Sequence, residues 1–401
     1  MHGYGFYGGF HAALADVITL AWSEPMRDLA AKVGVSDVGL KKTFRSYGVE
    51  PPPQGHWNKV HAGRPVSKPP QAPPRAPGAA PYVVVGENFR GLLPEAPRLS
   101  PNGPFASALV PEDLEELRTL TIAAIGRVSV PRDLSKPADA LLPLLKREEQ
   151  RRQKQAGLEP GSFWWNHRGP VFANTFNQRR LRLANGLLQA LGRRGVGASV
   201  DAKDGDLSID FRVGRQRVVV TIDMAKQPRQ GRTYNINALH AEATASTPMG
   251  IWLDGMHPRQ TYTSPPATFT DKPDEKLEKQ IAAIAAEIIV AGERRFRVGI
   301  RDTQEWEDRE RLRLENERLQ RRAAAEAARL AALQVSGELL RKAREVRELV
   351  VQVKAAVLAG QYELAGDQLT AWEQWALAHA DSLDPVKSGQ VSEHLQYLEV
   401  G

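Results

Sequence analysis

Residues Pro25-Met26-Arg27-Asp28-Leu29-Ala30-Ala31-Lys32-Val33-Gly34-Val35-Ser36-Asp37-Val38-Gly39-Leu40-Lys41-Lys42-Thr43-Phe44 meet the requirements of two short helices joined by a tight turn. Ser23 is placed to cap the first helix, and Pro25 is tolerated in its first turn. Ala30 is small where the two helices must approach, and Gly34 takes the positive φ of the turn at little steric cost. Leu29, Val33, Val35 and Leu40 are apolar at positions that bury a shared core, and Ser36 or Asp37 caps the second helix. This is the pattern of a helix-turn-helix, in which the N-terminal half of the second helix enters the DNA major groove. A plain helical hairpin with a glycine turn is the competing reading.

On helix-turn-helix geometry Ser36, Asp37, Val38, Lys41 and Lys42 face DNA, with Arg45 one turn further on. Val38 suits apolar contact with a thymine methyl, and Lys41 and Lys42 suit guanine edges or phosphates. Asp37 is assigned to capping, because a free carboxylate facing phosphates costs affinity. Just beyond lies Gly55-His56-Trp57-Asn58-Lys59. There Lys59 and Arg64 are expected on phosphates, and Trp57 is expected to close the core of a small three-helix unit.

The stretch from Ala21-Trp22-Ser23-Glu24-Pro25 through Gly34-Val35-Ser36-Asp37 to Pro52-Pro53-Gln54-Gly55-His56-Trp57-Asn58-Lys59-Val60-His61-Ala62-Gly63 resembles the N-terminal region of a group of bacterial helix-turn-helix proteins. The resemblance extends more weakly through Gln178-Arg179-Arg180-Leu181 to the Trp-containing end at 372–385. It implies DNA binding and brings no known reaction.

Outward from this unit, residues 51–104 hold half of the chain's 28 prolines, which reads as an extended, semi-rigid tether. Within it Tyr82-Val83-Val84-Val85 has the composition of an edge strand. After Pro111, Leu114, Leu117, Leu120, Ile122 and Ile125 are spaced for an apolar helical stripe, and a second helix is expected from Ala138 to Lys154. A further helix is expected from Asn174 to Leu191, stopped by Gly192 and Gly195. Leu207, Ile209 and Phe211 then alternate with polar residues, turn at Val213-Gly214-Arg215-Gln216, and return as Val218 to Ile222: a β-hairpin. Ile251-Trp252-Leu253 is a plausible third strand, and 274–292 returns to helix. From Arg301 to Leu333 the chain is dense in Glu and Arg, with Glu305/Arg309, Glu307/Arg311 and Glu317/Arg321 at i,i+4. Leu312 and Leu319 hint at a heptad, which leaves a single exposed helix and a coiled coil both open. Ser336 is expected to cap a helix running to about Ala359 and stopped by Gly360; Leu369, Trp372, Trp375 and Ala376 mark a second, which Asp384-Pro385 closes.

The expected organisation is therefore mainly α with a small α+β central domain. A helix-turn-helix domain occupies 11–64, a Pro-rich linker 65–110, a helical connector 111–154, an α+β domain 155–298, a long charged helix 299–334 and a C-terminal helical hairpin 335–385. The chain has 401 residues, 42% apolar and 25% charged, which fits two or three folded units and excludes full disorder. No apolar run approaches the ~20 residues of a membrane span, and the start has no basic segment leading into an apolar one, so neither a membrane span nor a signal peptide is expected. Absence of cysteine removes disulfides, thiolate nucleophiles and Cys-based zinc sites, and fits a cytoplasmic protein. A net charge of +7 favours polyanionic partners.

Weaker signals point elsewhere. Lys146, Arg147, Arg151, Arg152, Lys154, Arg168, Arg179, Arg180, Arg182, Arg193 and Arg194 outnumber three glutamates between 146 and 194, interleaved with Phe163, Trp164, Trp165 and Phe172. This reads as a second nucleic-acid surface or as a solvated helix face beside an aromatic cluster. Asp206, Asp210 and Asp223, with Lys226, resemble the acidic pattern of a metal-dependent nuclease, but two residues rather than one separate Asp223 from Lys226. His56 and His61 lack ligand spacing. The expectation is a sequence-specific binder of double-stranded DNA, a transcriptional regulator or an accessory factor of a mobile element or defence locus. It would act as a homodimer, with no metal and no cofactor. A DNA-targeted nuclease and a protein-interaction scaffold are the alternatives.

Overall fold

The computed structural model describes residues 9–161, 169–202, 206–225, 240, 242–253 and 268–392. Over these residues the chain is mainly helical, with two small antiparallel sheets. It divides into two compact units, Met1–Gln304 and Glu305–Gly401.

The first unit opens with strand β1 (Gly9–Ala13), followed by helices α1 (Leu14–Ala21), α2 (Met26–Val33), α3 (Asp37–Ser46) and α4 (His56–His61). Strand β2 (Tyr82–Gly86) returns to pair antiparallel with β1, Phe10 opposite Val85 and Ala12 opposite Val83. Three short helices carry too few large side chains to close a core of their own. Phe10, Val83, Val85, Phe89 and Leu93 complete it against Val17, Ile18, Leu29, Leu40 and Phe44. The sequence pattern starts the first helix at residue 11 and makes 65–110 a tether. Residues 9–13 instead form a strand, and its partner lies inside the Pro-rich stretch.

That stretch is anchored a second time. Arg75 is buried, and its Nη1 and Nη2 donate to Glu293 Oε2 at 2.9 Å and Oε1 at 2.8 Å; Arg297 Nε donates to the same carboxylate at 2.9 Å. Gly78 N donates to Glu293 Oε2 at 2.8 Å, and Arg215 N donates to Gly78 O at 3.0 Å. A Cβ on Gly78, at φ +71°, would lie 2.3 Å from the Val213 carbonyl oxygen, so only glycine lets the two backbones meet there. Residues 61–71 lie exposed, and the later part, from Ala72 through Arg75 and β2 to Val110, is fixed by packing.

Helices α5 (Leu114–Ile125), α6 (Leu142–Ala156) and α7 (Thr175–Gly192) follow. Asn174 caps α7, its Oδ1 accepting from Asn177 N at 2.8 Å. In α5 the expected five-residue stripe is narrower: Leu117 and Thr121 are buried, whereas Leu120 is exposed. The second sheet has the order β3 (Gly197–Asp201), β4 (Ser208–Val213), β5 (Gln216–Met224), β6 (Met249–Leu253), β7 (Phe269–Thr270), every neighbouring pair antiparallel. The β4–β5 hairpin turns at Gly214, as the alternation predicts. Leu181, Leu187 and Leu191 of α7 join Ile209, Phe211, Val220 and Ile222 of the sheet in one core.

Helix α8 runs unbroken over Ile281–Leu358. Three separate helices are predicted along this length, one of them capped by Ser336; Ser336 is instead a buried residue inside the helix. Gly292 sits where α8 meets the β4–β5 turn. A Cβ there would come within 2.5 Å of Val213 Cβ, so packing, and not a helix stop, explains this glycine. Dense pairing such as Arg313 with Glu310 and Glu317 carries the helix through the stretch with little apolar cover. Within the second unit, Gly360 at φ +76° ends α8, and α9 (Gly366–Leu383) ion-pairs with it through Arg347 to Asp381 at 2.8 Å and Asp384 at 2.9 Å. Ala376 and Ala380 of α9 are buried, but Trp375, expected on the same stripe, is exposed. Among the described residues no helix is long and apolar enough to cross a membrane.

Candidate nucleic-acid interface

The turn between α2 and α3 is built by local hydrogen bonding. Gly34 takes φ +75°, and Val35 N donates back to Ala30 O at 3.0 Å, a Schellman closure of α2. Ser36 Oγ accepts from Gly39 N at 3.1 Å and caps α3, as predicted. Ser23 does not cap α2. Its hydroxyl donates to Leu20 O at 2.9 Å and finishes α1, and Pro25 holds the N-cap position of α2. Val35, expected in the core, is 41% exposed, because the reversal at Gly34 turns it outward.

Leu40 and Phe44 bury one side of α3. Val38, Lys41, Lys42 and Arg45 stand at i, i+3, i+4 and i+7 and share one face. Val38 is 57% exposed on that face although it is apolar and near the helix start. Lys41 faces Asp37 at 3.8 Å and Arg45 faces Glu50 at 3.4 Å; such exposed pairs hold their partners weakly. Lys42 forms no ion pair among the described residues, nor do Lys59 and Arg64, and all three are exposed. Arg64 N donates to Lys59 O at 2.9 Å, which brings the two residues' backbones together just past the end of α4.

Helix α4 shares a hollow with Lys41 of α3 and Met26 of α2. The hollow, of about 250 Å³, is lined by Met26 and Lys41 on one side and by Pro52, Gln54, Trp57 and Asn58 on the other. The 50–58 segment is pinned by Trp22, whose Nε1 donates to Glu50 O at 3.0 Å and whose ring meets that of buried His56 edge-on at 5.3 Å. Trp57 stacks edge-on against His56 at 5.2 Å and is half-buried. Core closure thus belongs to Trp22, His56 and the β1–β2 sheet rather than to Trp57 alone.

The other basic run resolves differently. Arg179 is buried, with Nη1 on Asp271 Oδ2 at 2.7 Å and Nε on Glu278 Oε1 at 2.7 Å. Arg180 is fully buried; it donates from Nε to Ile222 O at 2.9 Å and from Nη1 to Asn177 Oδ1 at 2.7 Å, and lies over the rings of Phe172 and Phe176. Arg151 and Arg152 pair with Glu148 and Glu149. These arginines serve the core and a helix surface. Phe163, Trp164, Trp165 and Arg168 lie outside the described residues.

Of the three aspartates of the nuclease pattern, Asp206 lies level with Asp223, since Ile222 N donates to Leu207 O at 3.3 Å, but Asp210 is set apart from both. Asp210 is held by Arg217 at 2.8 and 2.6 Å. Asp210 pairs in register with Val219, which puts Asp223 four residues further along β5, about 13 Å at the rise of a strand. Asp223 is fully buried and its Oδ1 lies 2.8 Å from His240 Nε2; Arg180 Nη1 approaches His240 Nδ1 at 3.4 Å. Burial acts to raise the Asp223 carboxyl, but the contacts with His240 and Arg180 outweigh it and leave it below the ordinary range. Lys226 lies outside the described residues. Among the described residues no cluster of His, Asp and Glu is arranged to hold a metal ion. The Asp223–His240–Arg180 contact is not legible in the sequence, since 17 residues separate the aspartate from the histidine and no motif links them.

Comparison with family models, with curated proteins and with solved structures finds no match to this chain.

Proposed function

We propose that the protein is a sequence-specific binder of double-stranded DNA, with α2–α3 as its helix-turn-helix and α3 as the recognition helix. The observation that carries the reading is the outer face of α3, where Val38, Lys41, Lys42 and Arg45 stand together opposite the buried Leu40 and Phe44. An exposed valine flanked by cations suits a major groove, which offers thymine methyls, guanine acceptors and bordering phosphates within one helix diameter. Ser36, at the N-terminus of α3, contacts the nearest phosphate in this reading, its Oγ still accepting from Gly39 N. Lys59, on α4, and Arg64, just beyond it, extend the cationic path and contact phosphates that fix register rather than sequence.

One helix-turn-helix buries too little surface for tight specific binding, so the protein acts as a dimer reading two half-sites. The exposed Leu312 and Leu319, seven residues apart, with Leu330 and Leu333 beyond them, support pairing of α8 with a second copy; α9 folds against α8 as a C-terminal hairpin. A transcriptional regulator, or an accessory factor of a mobile element or defence locus, is the role that fits such a protein.

Selection from randomised duplexes tests the reading. The expected result is an enriched motif that Lys41→Ala/Lys42→Ala loses while its melting temperature stays at the wild-type value. No enrichment with the wild-type protein would overturn it.

A further inference from the structure

A cavity of about 840 Å³ opens between the loop after α5, the middle of α7 and the approach to α8. Four cations line it: Arg127 and Arg132 from the loop, Arg182 from α7 and Lys279 just before α8. None of the four forms an ion pair among the described residues. The acids close by are already engaged. Glu278, the one carboxylate in the lining, places both oxygens 2.7 Å from Arg179 nitrogens, and Asp133 accepts from Ser135 Oγ at 2.6 Å and from its backbone N at 3.0 Å. The loop is held in place, since Arg182 Nη1 donates to Arg132 O at 2.9 Å.

Four like charges around one hollow repel one another, and an anion seated among them removes that repulsion. Two features choose the kind of anion. The hollow falls in the volume range of small-molecule sites, and its walls also carry Val128, Val130 and Ala282, apolar surface that a bare phosphate backbone would leave uncovered. A duplex is met by raised surfaces such as α3, not by a recess. Three guanidinium groups favour phosphate oxygens, which they grip in pairs.

We infer that this cavity binds a small organic phosphate of nucleotide size, its phosphates among Arg127, Arg132, Arg182 and Lys279 and its organic part against Val128 and Val130. The inference is independent of DNA binding by α3.

The test is titration of the purified full-length protein with the fluorescent nucleotide mant-ATP, without divalent cations, followed by competition. Saturable binding at one site per chain is expected, displaced by ATP and by pyrophosphate but not by adenosine. Arg132 and Lys279 are exposed, so their variants keep the fold, which the melting temperature checks. Arg132→Ala and Lys279→Ala should each weaken binding about tenfold or more, the scale of one charge-assisted contact. Lys279→Arg should restore it, and Lys41→Ala/Lys42→Ala should bind the probe as wild type does. Absence of saturable binding, or unchanged affinity in both alanine variants, overturns the proposal. Displacement of the probe by a short random duplex but not by pyrophosphate also overturns it, and would make the cavity part of a nucleic-acid path.

Discussion

Two regions of the first unit use cationic side chains in opposite ways. Around the central sheet, Arg75, Arg179, Arg180 and Arg297 are buried, and each is met by carboxylates, carbonyls or aromatic rings. On α3, on α4 and just beyond it, Lys41, Lys42, Arg45, Lys59 and Arg64 reach solvent with weak partners or none among the described residues. A guanidinium out of water must have its donors satisfied, so the first set is bound into the fold. The second set keeps its hydration and leaves its charge available to a polyanion. A count of basic residues along the chain therefore says little about nucleic-acid binding until burial has sorted them.

The largest expected effect strikes the buried set. Arg179→Ala leaves Asp271 and Glu278 without their common partner and should cost about 3–5 kcal/mol, the usual penalty for orphaning buried charge. Urea unfolding measures it, and a loss under about 1 kcal/mol would show that the cluster behaves as an exposed pair and dissolve the contrast.

Acid should expose the same difference. In Asp223, Asp271 and Glu293 burial acts to raise the carboxyl, and the contacts with His240, Arg179 and Arg75 respectively outweigh it, leaving all three below their ordinary values. A carboxyl depressed in the folded state contributes stability above its unfolded pKa, lost as pH falls through the folded one. The urea midpoint should therefore hold from neutral pH down to about 5 and then decline steeply below about 4. A midpoint unchanged at about pH 3 would mean that these ion pairs add nothing to the fold.

A smaller effect belongs to the packing that holds the Pro-rich segment and the hairpin turn against α8. Gly292→Ala forces a methyl against the stiff Val213 side chain and should cost about 1–3 kcal/mol, read from the melting temperature.

The smallest effect on stability lies in the exposed set. Lys59→Ala should change stability by less than about 0.5 kcal/mol, yet lower the slope of log affinity for duplex DNA against log salt by about 1. An unchanged slope would place Lys59 off the DNA path.

Much of the local structure is legible in the sequence because it depends on near neighbours. The Gly34 turn, the Ser36 cap, the Asn174 start of α7 and the β4–β5 alternation are decided within a few residues. The departures share a different cause. Ser23 suits the start of α2, but Leu20 O lies within its reach at the end of α1, so two local options compete and the earlier helix wins. Ser336 suits a cap because serine favours that position, but in a helix already propagating from Ile281 no new start is needed there. Residues 9–13 carry too short an apolar pattern to be assigned without knowledge of Tyr82–Gly86, some seventy residues away.

What the sequence determined by itself is the set of turns, caps and periodicities, and with them the cationic outer face of α3, since i,i+3,i+4,i+7 spacing places side chains on one side of any helix. What only the tertiary structure decided is which charges are buried. Glu293 meets Arg75 across 218 residues, Asp271 meets Arg179 across 92, and Asp223 meets His240. Burial is a property of the assembled core: desolvation and its compensation depend on every element that closes over a group, and no window of sequence contains them all.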